Sequence, residues 1–334
     1  MTKLDFIMKR LMYRLNTSIK TKHVSAFLKY NSIKKLKNLI NVESGILLGK
    51  EKNFGYPYLL TVEPTNICNL KCPECFTGKG LAGRKKGFMP FADFKKVIDE
   101  IGKYLYIINF YNWGEPFLSK DIFNMIKYAN KNRIYTSIST NGNYNTELNE
   151  NILDSNLDHI IFALDGSNKE IYEKYRKGGN FGLIIRNIKD LIKKRGKKKF
   201  KKPFIEIQFL VFQHNKEDVE NIKKLARKLK VDGLMIRAGN ASNNKKIKEK
   251  YYTWGNKKGF CRRFWYCAII NCDGSLVPCC NFLYKKDDFG NVFESGFKEV
   301  WNNEIYQQNR KAIIEANIKN LNKVCKNCYK YHEN

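Results

Sequence analysis

TNICNLKCPEC, residues 65–75, places Cys68, Cys72 and Cys75 on one short segment that directly follows an apolar run. Three thiolates on one loop can hold three corners of a four-iron cluster and leave the fourth iron without a protein ligand. An iron with an open position can bind a substrate or a cofactor. The spacing therefore predicts a reactive iron–sulfur site. Gly114-Glu115-Pro116, which follows the next apolar run, is its first companion motif.

The composition bounds the class of protein. The chain has 334 residues, enough for one large domain or two. It contains no run of about 18 apolar residues that would predict a transmembrane helix. Residues 1–12 lack the apolar centre and cleavage site of a signal peptide. We therefore expect a cytoplasmic protein, in which the ten cysteines serve as metal ligands rather than as disulfides.

The formal net charge of +30 has two interpretations. One is an anionic partner such as nucleic acid, a membrane surface or a phosphorylated substrate. The other, which we favour, is a lysine-rich bias spread over solvated faces, because basic residues occur in nearly every segment. The densest run, 193–202, is expected to be a solvated loop. Residues 8–50 are basic with apolar residues at helical spacing, which allows peripheral membrane contact, although packing against the main domain is the simpler expectation.

Apolar periodicity predicts alternating strands and helices from Tyr58 onward. The predicted strands span 58–63, 105–112, 135–139, 159–164, 205–212 and 233–237, and the predicted helices span 91–101, 121–131, 147–153, 181–193 and 216–229. Successive βα units favour a parallel sheet with helices outside it. We expect an α/β fold, a partial (β/α)6 TIM-like barrel, because chemistry-bearing residues follow the strands at their C-terminal ends. Those ends carry the cysteine loop, Gly114-Glu115-Pro116, Ser139–Gly142 and Asp165-Gly166.

A second, smaller module is predicted at the C-terminus. It holds the other seven cysteines, a β-hairpin turn at Asp273-Gly274, a largely helical stretch over 297–318 and a closing Cys325-x2-Cys328 pair. Four regions are therefore expected. They are a basic helical N-terminal segment over 1–57, the barrel over 58–240, a polar linker over 241–259, and a small module of β-hairpin and helices over 260–334.

Together these motifs resemble those of the radical S-adenosylmethionine (SAM) enzymes, in which a Cys-x3-Cys-x2-Cys loop follows the first strand and a glycine–glutamate–proline motif follows the second. The C-terminal module resembles the SPASM/twitch extension, which carries an auxiliary iron–sulfur cluster. The landmarks that match this extension are Cys261, Trp265, Asp273-Gly274, Cys279-Cys280, Gly290-Asn291, Trp301-Asn302 and Cys325-x2-Cys328.

The resemblance implies a role for each barrel motif. Cys68, Cys72 and Cys75 would hold a [4Fe–4S] cluster whose open iron chelates the amino and carboxylate groups of SAM. Gly114-Glu115-Pro116 would receive the methionine amino group. The other residues expected at the cofactor are Ser139 and Asn141, for ribose and carboxylate contacts, and Gln208 and Arg237 on later strands. Two positions depart from the family pattern, because Trp113 stands where a glycine often precedes the motif and Glu74 replaces a common aromatic residue.

The resemblance also implies an auxiliary [4Fe–4S] cluster with four cysteine ligands, which are Cys261, Cys279, Cys325 and Cys328. Cys267 or Cys280 could replace a member of this set, and Cys272 is spare. Seven cysteines are too few for two auxiliary clusters with four cysteine ligands each. A zinc site built from the same four cysteines is the alternative for an isolated module.

The leading functional hypothesis is a radical SAM oxidoreductase. It would cleave SAM reductively to a 5′-deoxyadenosyl radical, abstract hydrogen from a substrate and oxidise a hydroxyl-bearing carbon, as in a cyclitol or aminosugar, with the auxiliary cluster as electron acceptor. Asp165 is the candidate catalytic residue, because it ends a strand inside the predicted cavity. The resemblance implies an electron donor such as flavodoxin or ferredoxin.

Three alternatives stay open. A peptide or protein maturase would share this chemistry, but it favours an N-terminal winged-helix domain, for which residues 1–57 are short. A lipid-modifying enzyme would suit the basic N-terminus. A non-catalytic zinc module that binds nucleic acid would suit the charge, but it leaves Glu115 and the six βα units unexplained. We therefore disfavour nucleic acid as a partner.

Overall fold

The computed structural model of the protein describes residues 21–81, 83–200, 202–239, 247 and 260–328, and for 21–25 it describes the backbone alone. Eight strands form one sheet. They are β1 Leu59–Val62, β2 Ile107–Phe110, β3 Tyr135–Thr140, β4 His159–Ala163, β5 Phe204–Val211, β6 Gly233–Ala238, β7 Cys267–Ile270 and β8 Leu276–Val277.

The helices divide between the barrel and the C-terminal module. Those up to the end of the barrel are α1 Thr21–Tyr30, α2 Ile33–Leu47, α3 Phe91–Ile101, α4 Ile122–Lys131, α5 Leu148–Asp154, α6 Lys169–Tyr175, α7 Phe181–Lys197 and α8 Val219–Leu229. Those of the module are α9 Arg263–Tyr266, α10 Val292–Ser295, α11 Phe297–Trp301, α12 Glu304–Ile314 and α13 Lys323–Lys326. Short 3-10 helices span Gly102–Tyr104, Pro116–Leu118, Lys216–Asp218, Lys285–Asp287 and Ile318–Asn320.

The sheet has the strand order β6-β5-β4-β3-β2-β1-β7-β8. Strands β1 to β6 pair in parallel with their neighbours, which confirms the predicted α/β class and partial (β/α)6 barrel. β7 also pairs in parallel with β1, from Leu59↔Cys267 to Val62↔Ile270, and β8 returns antiparallel to β7. The predicted C-terminal hairpin therefore continues the barrel sheet. The sequence did not predict this junction, because its two strands lie on either side of the whole barrel.

Helix boundaries follow the local apolar pattern where that pattern is strong. α3 spans Phe91–Ile101 as predicted, since Phe94, Val97, Ile98 and Ile101 fall on one buried face. Two local predictions were wrong. α6 was not predicted, because seven residues offer too few repeats of a helical period. α7 continues to Lys197, so the first half of the basic run 193–202 is helical rather than a loop. Lysine and arginine favour helices, and Lys194 pairs with Asp190 one turn earlier.

The core lies between the sheet and its helices. β2 and β4 are buried along their whole length, as expected for central strands of a parallel sheet covered on both faces. β5 instead alternates, and its half-buried positions include Glu206, Gln208 and Leu210. These side chains point into the barrel. The C-terminal ends of the strands are therefore where polar side chains and an internal cavity meet.

Helices α1 and α2 cover the N-terminal ends of the strands. Asp158, which precedes β4, accepts hydrogen bonds from the Tyr30 hydroxyl and the Lys29 ammonium, both at 2.9 Å. Lys35 Nζ donates to the Arg133 carbonyl at 2.6 Å. No helix among the described residues combines the length and apolarity needed to cross a membrane. Of the predicted N-terminal segment, residues 1–20 lie outside the described residues, and so does the predicted linker 241–259 except Ile247.

Candidate active site

A cavity of about 830 Å³ lies at the C-terminal ends of the barrel strands. Cys68, Cys72 and Cys75 line it, and so does Cys328 of the C-terminal module. The ends of β2 to β6 supply most of the remaining wall. A molecule bound in this cavity can therefore reach both groups of cysteines.

The cysteine loop after β1 is ordered by hydrogen bonds, several of which point at sulfur. Thr65 Oγ1 accepts from the Ile67 N–H at 3.1 Å, and the Cys75 N–H donates to the Cys72 carbonyl at 3.1 Å. The Leu70 N–H lies 3.4 Å from Cys68 Sγ. Hydrogen bonds to sulfur are typical of cysteines that hold iron–sulfur clusters, because they stabilise the thiolate and tune the cluster.

Gly114 lies where the end of β2 touches the cysteine loop. A Cβ at this position would be 1.9 Å from the Thr65 carbonyl oxygen, far inside van der Waals contact. The next N–H, that of Glu115, donates to the Ile67 carbonyl at 2.8 Å. The loop and the Gly114-Glu115-Pro116 motif are therefore one packed unit, and only glycine fits at its first position.

Glu115 is buried and fixes the end of β3. Its carboxylate accepts hydrogen bonds from Thr140 Oγ1 and the Asn141 N–H, both at 2.8 Å, and from the Phe117 N–H at 3.3 Å. Burial raises the pKa of Glu115 to about 7. Because these donors occupy the carboxylate, the backbone of the motif is the part left to contact a cofactor. Pro116 begins a 3-10 helix, is buried and does not line the cavity.

Asp165 and Arg176 form a buried ion pair beside the cysteine loop. Arg176 Nε donates to Asp165 Oδ2 at 2.8 Å, and the Leu210 N–H donates to Asp165 Oδ1 at 2.7 Å. Arg176 Nη1 lies 3.9 Å from Cys72 Sγ. Burial lowers the pKa of Arg176, but Asp165, Cys72 and two neighbouring tyrosines together more than offset this and raise the pKa above the usual range. Asp165 therefore holds an arginine in place. Arg176 itself was missed because it ends the unpredicted helix α6.

The remaining predicted cofactor residues surround the same cavity, whose lining includes Ser139, Asn141, Gln208 and Arg237. Asn141 joins β3 to the cysteine loop, since its Nδ2 donates to Asn69 Oδ1 at 2.8 Å and lies 3.8 Å from Cys68 Sγ. Gln208 Nε2 lies 3.5 Å from Met235 Sδ. The strand ends thus bring together residues that are far apart in the sequence.

Aromatic side chains narrow the cavity near the cysteine loop. The rings of Phe76 and Trp113 meet edge to face, with centroids 5.4 Å apart. Tyr111 also lines the cavity. Trp113 Nε1 is buried and has no hydrogen-bond partner among the described residues, so it is a donor available to a bound molecule. Glu74 lines the cavity as well, and it faces Lys79 at 3.5 Å.

The cysteines of the C-terminal module lie close together, with one exception. Burial raises the pKa of Cys325, and Cys261 and Cys328 add to the shift. Burial likewise raises the pKa of Cys279, with Cys280 and Cys261 as neighbours. The four predicted ligands therefore share one neighbourhood.

Cys267 also belongs to that neighbourhood, since burial raises its pKa to about 11 and Cys280 and Cys261 lie near it. Cys267 and Cys280 both stay available as alternative ligands. Cys272 is the exception. It lies beside Glu63 and Asp273, where burial raises its pKa to about 12.

Two residues that the sequence analysis missed join the barrel to the module. Glu63, at the end of β1, accepts hydrogen bonds from the Trp113 N–H at 3.1 Å and the Cys272 N–H at 3.4 Å. Burial raises the pKa of Glu63 to about 7. Arg84, in the segment after the cysteine loop, pairs with Asp288 and donates to Ser275 Oγ at 2.9 Å. No local pattern could reveal these contacts, because the partners lie more than 200 positions apart for Glu63–Cys272 and Arg84–Asp288.

The donors present fit iron–sulfur clusters and SAM. The barrel offers three thiols, two of which have N–H groups directed at their sulfur, a glycine pressed against their loop and the unpartnered Trp113 Nε1. Within the described ranges, no group of three or more cysteine, histidine or acidic side chains could hold a single metal ion. The ligands of a single ion lie close together, because each metal–sulfur bond is about 2.3 Å long. The ligands of a four-iron cluster bind different corners of a cube and therefore lie farther apart.

Comparison with known proteins gives two family matches. The model of the radical SAM superfamily matches residues 62–226, and that of the SPASM iron–sulfur cluster-binding domain matches residues 261–329. The two matches fall on the two parts of the chain that carry the cysteines lining the cavity.

Individual relatives are distant. The chain is 25% identical over 296 residues to the tungsten-containing aldehyde ferredoxin oxidoreductase cofactor-modifying protein of Pyrococcus furiosus. This match covers 74% of this chain and 81% of the relative. It is 28% identical to the mycofactocin maturase MftC of Mycobacterium ulcerans over 143 residues, 42% of this chain and 38% of the relative. Among solved structures, SuiB of Streptococcus suis bound to the precursor peptide SuiA matches with a TM-score of 0.63 at 16% identity. That match covers 83% of this chain and 71% of that one and shows a shared fold.

Proposed function

The chain belongs to the radical SAM superfamily and carries a SPASM domain, and from this membership we propose that it oxidises a substrate held between two iron–sulfur sites. One observation supports the proposal above all others. Cys68, Cys72 and Cys75 of the barrel and Cys328 of the module line the same cavity of about 830 Å³. A substrate in that cavity is within reach of a radical source and of an electron acceptor.

The residues divide into two ligand sets. Cys68, Cys72 and Cys75 would hold the cluster that binds SAM, and the module set Cys261, Cys279, Cys325 and Cys328 would hold the auxiliary cluster. When bound, these groups supply a 5′-deoxyadenosyl radical and an acceptor for one electron. The chain itself supplies binding, orientation and the exclusion of water.

The positioning residues act through the loop that they hold. Gly114 keeps the end of β2 in contact with the cysteine loop, and Glu115 fixes the backbone of Asn141. Asn141 in turn donates to Asn69 and approaches Cys68. Trp113 offers a buried N–H, and its ring with that of Phe76 excludes water from this end of the cavity. We propose that these contacts orient SAM against the open corner of the cluster.

Charged side chains of both signs line the cavity, and the acidic ones are Glu74, Glu115 and Asp287. Arg176 and Arg237 line it from the barrel, and Lys286 and Lys323 line it from the module. Asp165 keeps Arg176 charged and oriented toward Cys72. The sequence makes Asp165 a candidate catalytic residue. We propose instead that Asp165 positions Arg176, because the Arg176 guanidinium and the Leu210 N–H occupy its two oxygens.

For the reaction we propose that a hydroxyl-bearing carbon would lose a hydrogen atom to the 5′-deoxyadenosyl radical, its hydroxyl proton to a base and the remaining electron to the auxiliary site, a net two-electron oxidation. The single complete ligand set in the module supports this reading, because one auxiliary acceptor is enough for one electron. The substrate class that we propose is a cyclitol or an aminosugar. A flavodoxin or ferredoxin would supply the reducing electron for SAM cleavage, and the thiol-rich ligand sets suit a reducing, cytoplasmic setting.

A peptide substrate is the second candidate. The relative MftC is named as a maturase, and SuiB, which shares this fold, has been solved with a precursor peptide. In this chain the described N-terminal residues form the two helices α1 and α2 rather than a winged helix. In the described residues, the surfaces that a peptide would contact are the cavity and the module side chains around it, such as Tyr284 and Lys286.

Anaerobic reconstitution tests the proposal. We expect about eight irons per chain and reductive cleavage of SAM to 5′-deoxyadenosine with reduced flavodoxin. Deuterated cyclitols, aminosugars and synthetic precursor peptides are then supplied separately. Transfer of deuterium into 5′-deoxyadenosine, with a product two hydrogens lighter, identifies the class. A colourless zinc protein that leaves SAM intact would overturn the proposal, and so would a product at the oxidation level of its substrate.

A further inference from the structure

Helix α2 has two faces of different character. Its inner face is buried and includes Lys35, Val42 and Ile46. Its outer face carries Ile33, Leu36 and Ile40, whose exposed fractions are 87%, 41% and 56%. These three positions follow the i, i+3, i+7 spacing of one helical stripe. An isoleucine that exposes most of its surface at such a stripe has no packing role within the described part of the protein.

The neighbouring helix extends the exposed apolar surface. Leu28, near the end of α1, is 75% exposed, and Phe27 is 38% exposed. Only Asn31 and Ser32 separate α1 from α2. We call Phe27, Leu28, Ile33, Leu36 and Ile40 the outer apolar stripe. An apolar surface of this kind on consecutive elements is typical of an interaction site rather than of scattered exposure.

Five cations lie at the same end of the barrel as the outer apolar stripe. Lys34 and Lys37 lie on α2, Lys103 lies in the 3-10 helix before β2, Lys131 ends α4, and Arg133 lies in the turn before β3. All five are exposed. The strands are parallel, so these segments share the N-terminal end of the sheet, and Lys35 ties α2 to Arg133 directly.

The state of these five cations differs from that of their paired neighbours. Within the described ranges, none of them forms an ion pair, whereas Lys29 and Lys202, at the same end, both pair with Asp158. Unpaired cations beside exposed isoleucines create a surface that is both basic and apolar.

We propose that this end of the barrel docks on an anionic lipid surface through the outer apolar stripe, with the five cations against the headgroups. A nucleic acid would use the cations but gain nothing from Ile33 and Ile40. An apolar protein partner would use the isoleucines but leave five charges unpaired. A bilayer with acidic headgroups uses both, as amphipathic helices at membrane interfaces do.

Docking in this way fixes the orientation of the active site. The cavity lies at the C-terminal ends of the strands, and the outer apolar stripe lies at their N-terminal ends. The cavity therefore faces away from the bilayer, and the substrate reaches it from water. Binding to lipid and SAM cleavage are separate properties, so each can be tested without the other.

The full chain is tested by co-sedimentation with vesicles. We expect binding to phosphatidylcholine vesicles that contain phosphatidylglycerol, and at least about tenfold weaker binding to pure phosphatidylcholine or at high salt. The double variant I33E/I40E should lose at least about tenfold in affinity for the acidic vesicles. K34Q/K37Q should weaken binding to acidic vesicles less than I33E/I40E does.

The matched control is I305E, because Ile305 is 42% exposed on α12 of the C-terminal module and does not belong to the outer apolar stripe. It should bind vesicles like the wild type. All variants should keep their iron content and their SAM cleavage, since the changed side chains are exposed and remote from the cavity.

Three outcomes would overturn the proposal. The wild type could fail to sediment with acidic vesicles, or I33E/I40E could bind them as well as the wild type does. A lower melting temperature of I33E/I40E with unchanged vesicle binding would mean that the protein's own residues 1–20 cover the stripe. A wild-type dimer that I33E/I40E converts to monomer would mean that a second copy covers it.

Discussion

Arg84 and Asp288 form a buried ion pair across the boundary between the barrel and the C-terminal module. The Arg84 side chain is 4% exposed and that of Asp288 is 11% exposed, and Arg84 Nη1 donates to Asp288 Oδ2 at 2.8 Å. Asp273 lies 3.5 Å from the same guanidinium. The segment that follows Cys75 is thereby fastened to the module hairpin that follows β7.

Removing Arg84 should destabilise the protein strongly, because Asp288 would be left as a buried charge without a partner. We expect R84M to lower the free energy of unfolding by about 3–5 kcal/mol. The double variant R84M/D288L should recover most of this loss. As a control, K95M should leave stability almost unchanged, because the Lys95–Asp99 pair is exposed. Chemical denaturation of the four proteins provides the comparison, and an R84M as stable as K95M would contradict the expectation.

Gly114→Ala should separate the end of β2 from the cysteine loop, because the added Cβ would lie 1.9 Å from the Thr65 carbonyl oxygen. A displacement of this size at the cofactor should reduce SAM cleavage by about 100-fold. Gly196→Ala is the control, since a Cβ there meets nothing within 4 Å. That variant should keep full activity and gain up to about 1 kcal/mol of stability. Equal activities of the two variants would show that the contact at Gly114 tolerates a methyl group.

Iron content should separate the ligand sets. C68A/C72A/C75A should retain about four irons and lose SAM cleavage, because only the module site remains. C325A/C328A should also retain about four irons, with SAM cleavage wholly or partly preserved and substrate oxidation lost. C272A should retain all of its iron, because Cys272 lies apart beside Glu63. Loss of iron in C267A or C280A would place that residue in the auxiliary set instead.

Glu63 should make stability depend on pH. Burial raises its pKa to about 7, while an unfolded glutamate titrates near about 4.3. Between these values the folded protein holds a proton that the unfolded chain releases, so stability falls as pH rises from about 4.5 to 7, by on the order of 3 kcal/mol. E63Q should be less stable at low pH, because an amide cannot accept from both the Trp113 and the Cys272 N–H groups. The part of the fall that is due to Glu63 should be absent in E63Q. If the free energy of unfolding changes with pH in the same way in both proteins, the raised pKa of Glu63 is refuted.

Asp165→Asn should leave Arg176 as a buried cation beside Cys72 without a counter-charge. We expect a loss of about 3–5 kcal/mol in stability and a higher KM for SAM. D165L/R176M should regain stability without regaining SAM binding, which separates the two roles of the pair. D154N serves as the control, because Asp154 forms only an exposed contact with Lys198. Equal melting temperatures of D165N and D154N would show that the Asp165–Arg176 ion pair does not stabilise the fold.

Much of the fold and part of the site could be predicted from the sequence because the signals are local. The cysteine loop, Glu115, Asn141 and Asp165 each directly follow an apolar run, and parallel strands bring such ends together. The comparisons support the same assignment of family and cofactors. Arg176 escaped notice because α6 is only seven residues long.

Long-range contacts could not be predicted in this way. Arg84 and Asp288 lie 204 positions apart, and nothing in the local pattern of either segment indicates the other. The hydrogen bonds of the Glu115 carboxylate to Thr140, Asn141 and Phe117 could not be predicted either. Spacing reveals which residue types gather at a strand end, but their orientation depends on three-dimensional packing.

The parallel pairing of β1 with β7 makes the barrel inseparable from its C-terminal module. β1 has β2 on one side and β7 on the other, so a fragment that stops before Phe260 would expose β1 as a bare edge. Such an edge recruits strands from other molecules and aggregates. Any replacement module grafted onto this barrel would therefore need to bring its own strand for β1. The pairing of β7 with β1, at the usual strand spacing of about 4.8 Å, therefore sets the distance between the two cysteine sites, and the length of the connecting segment does not.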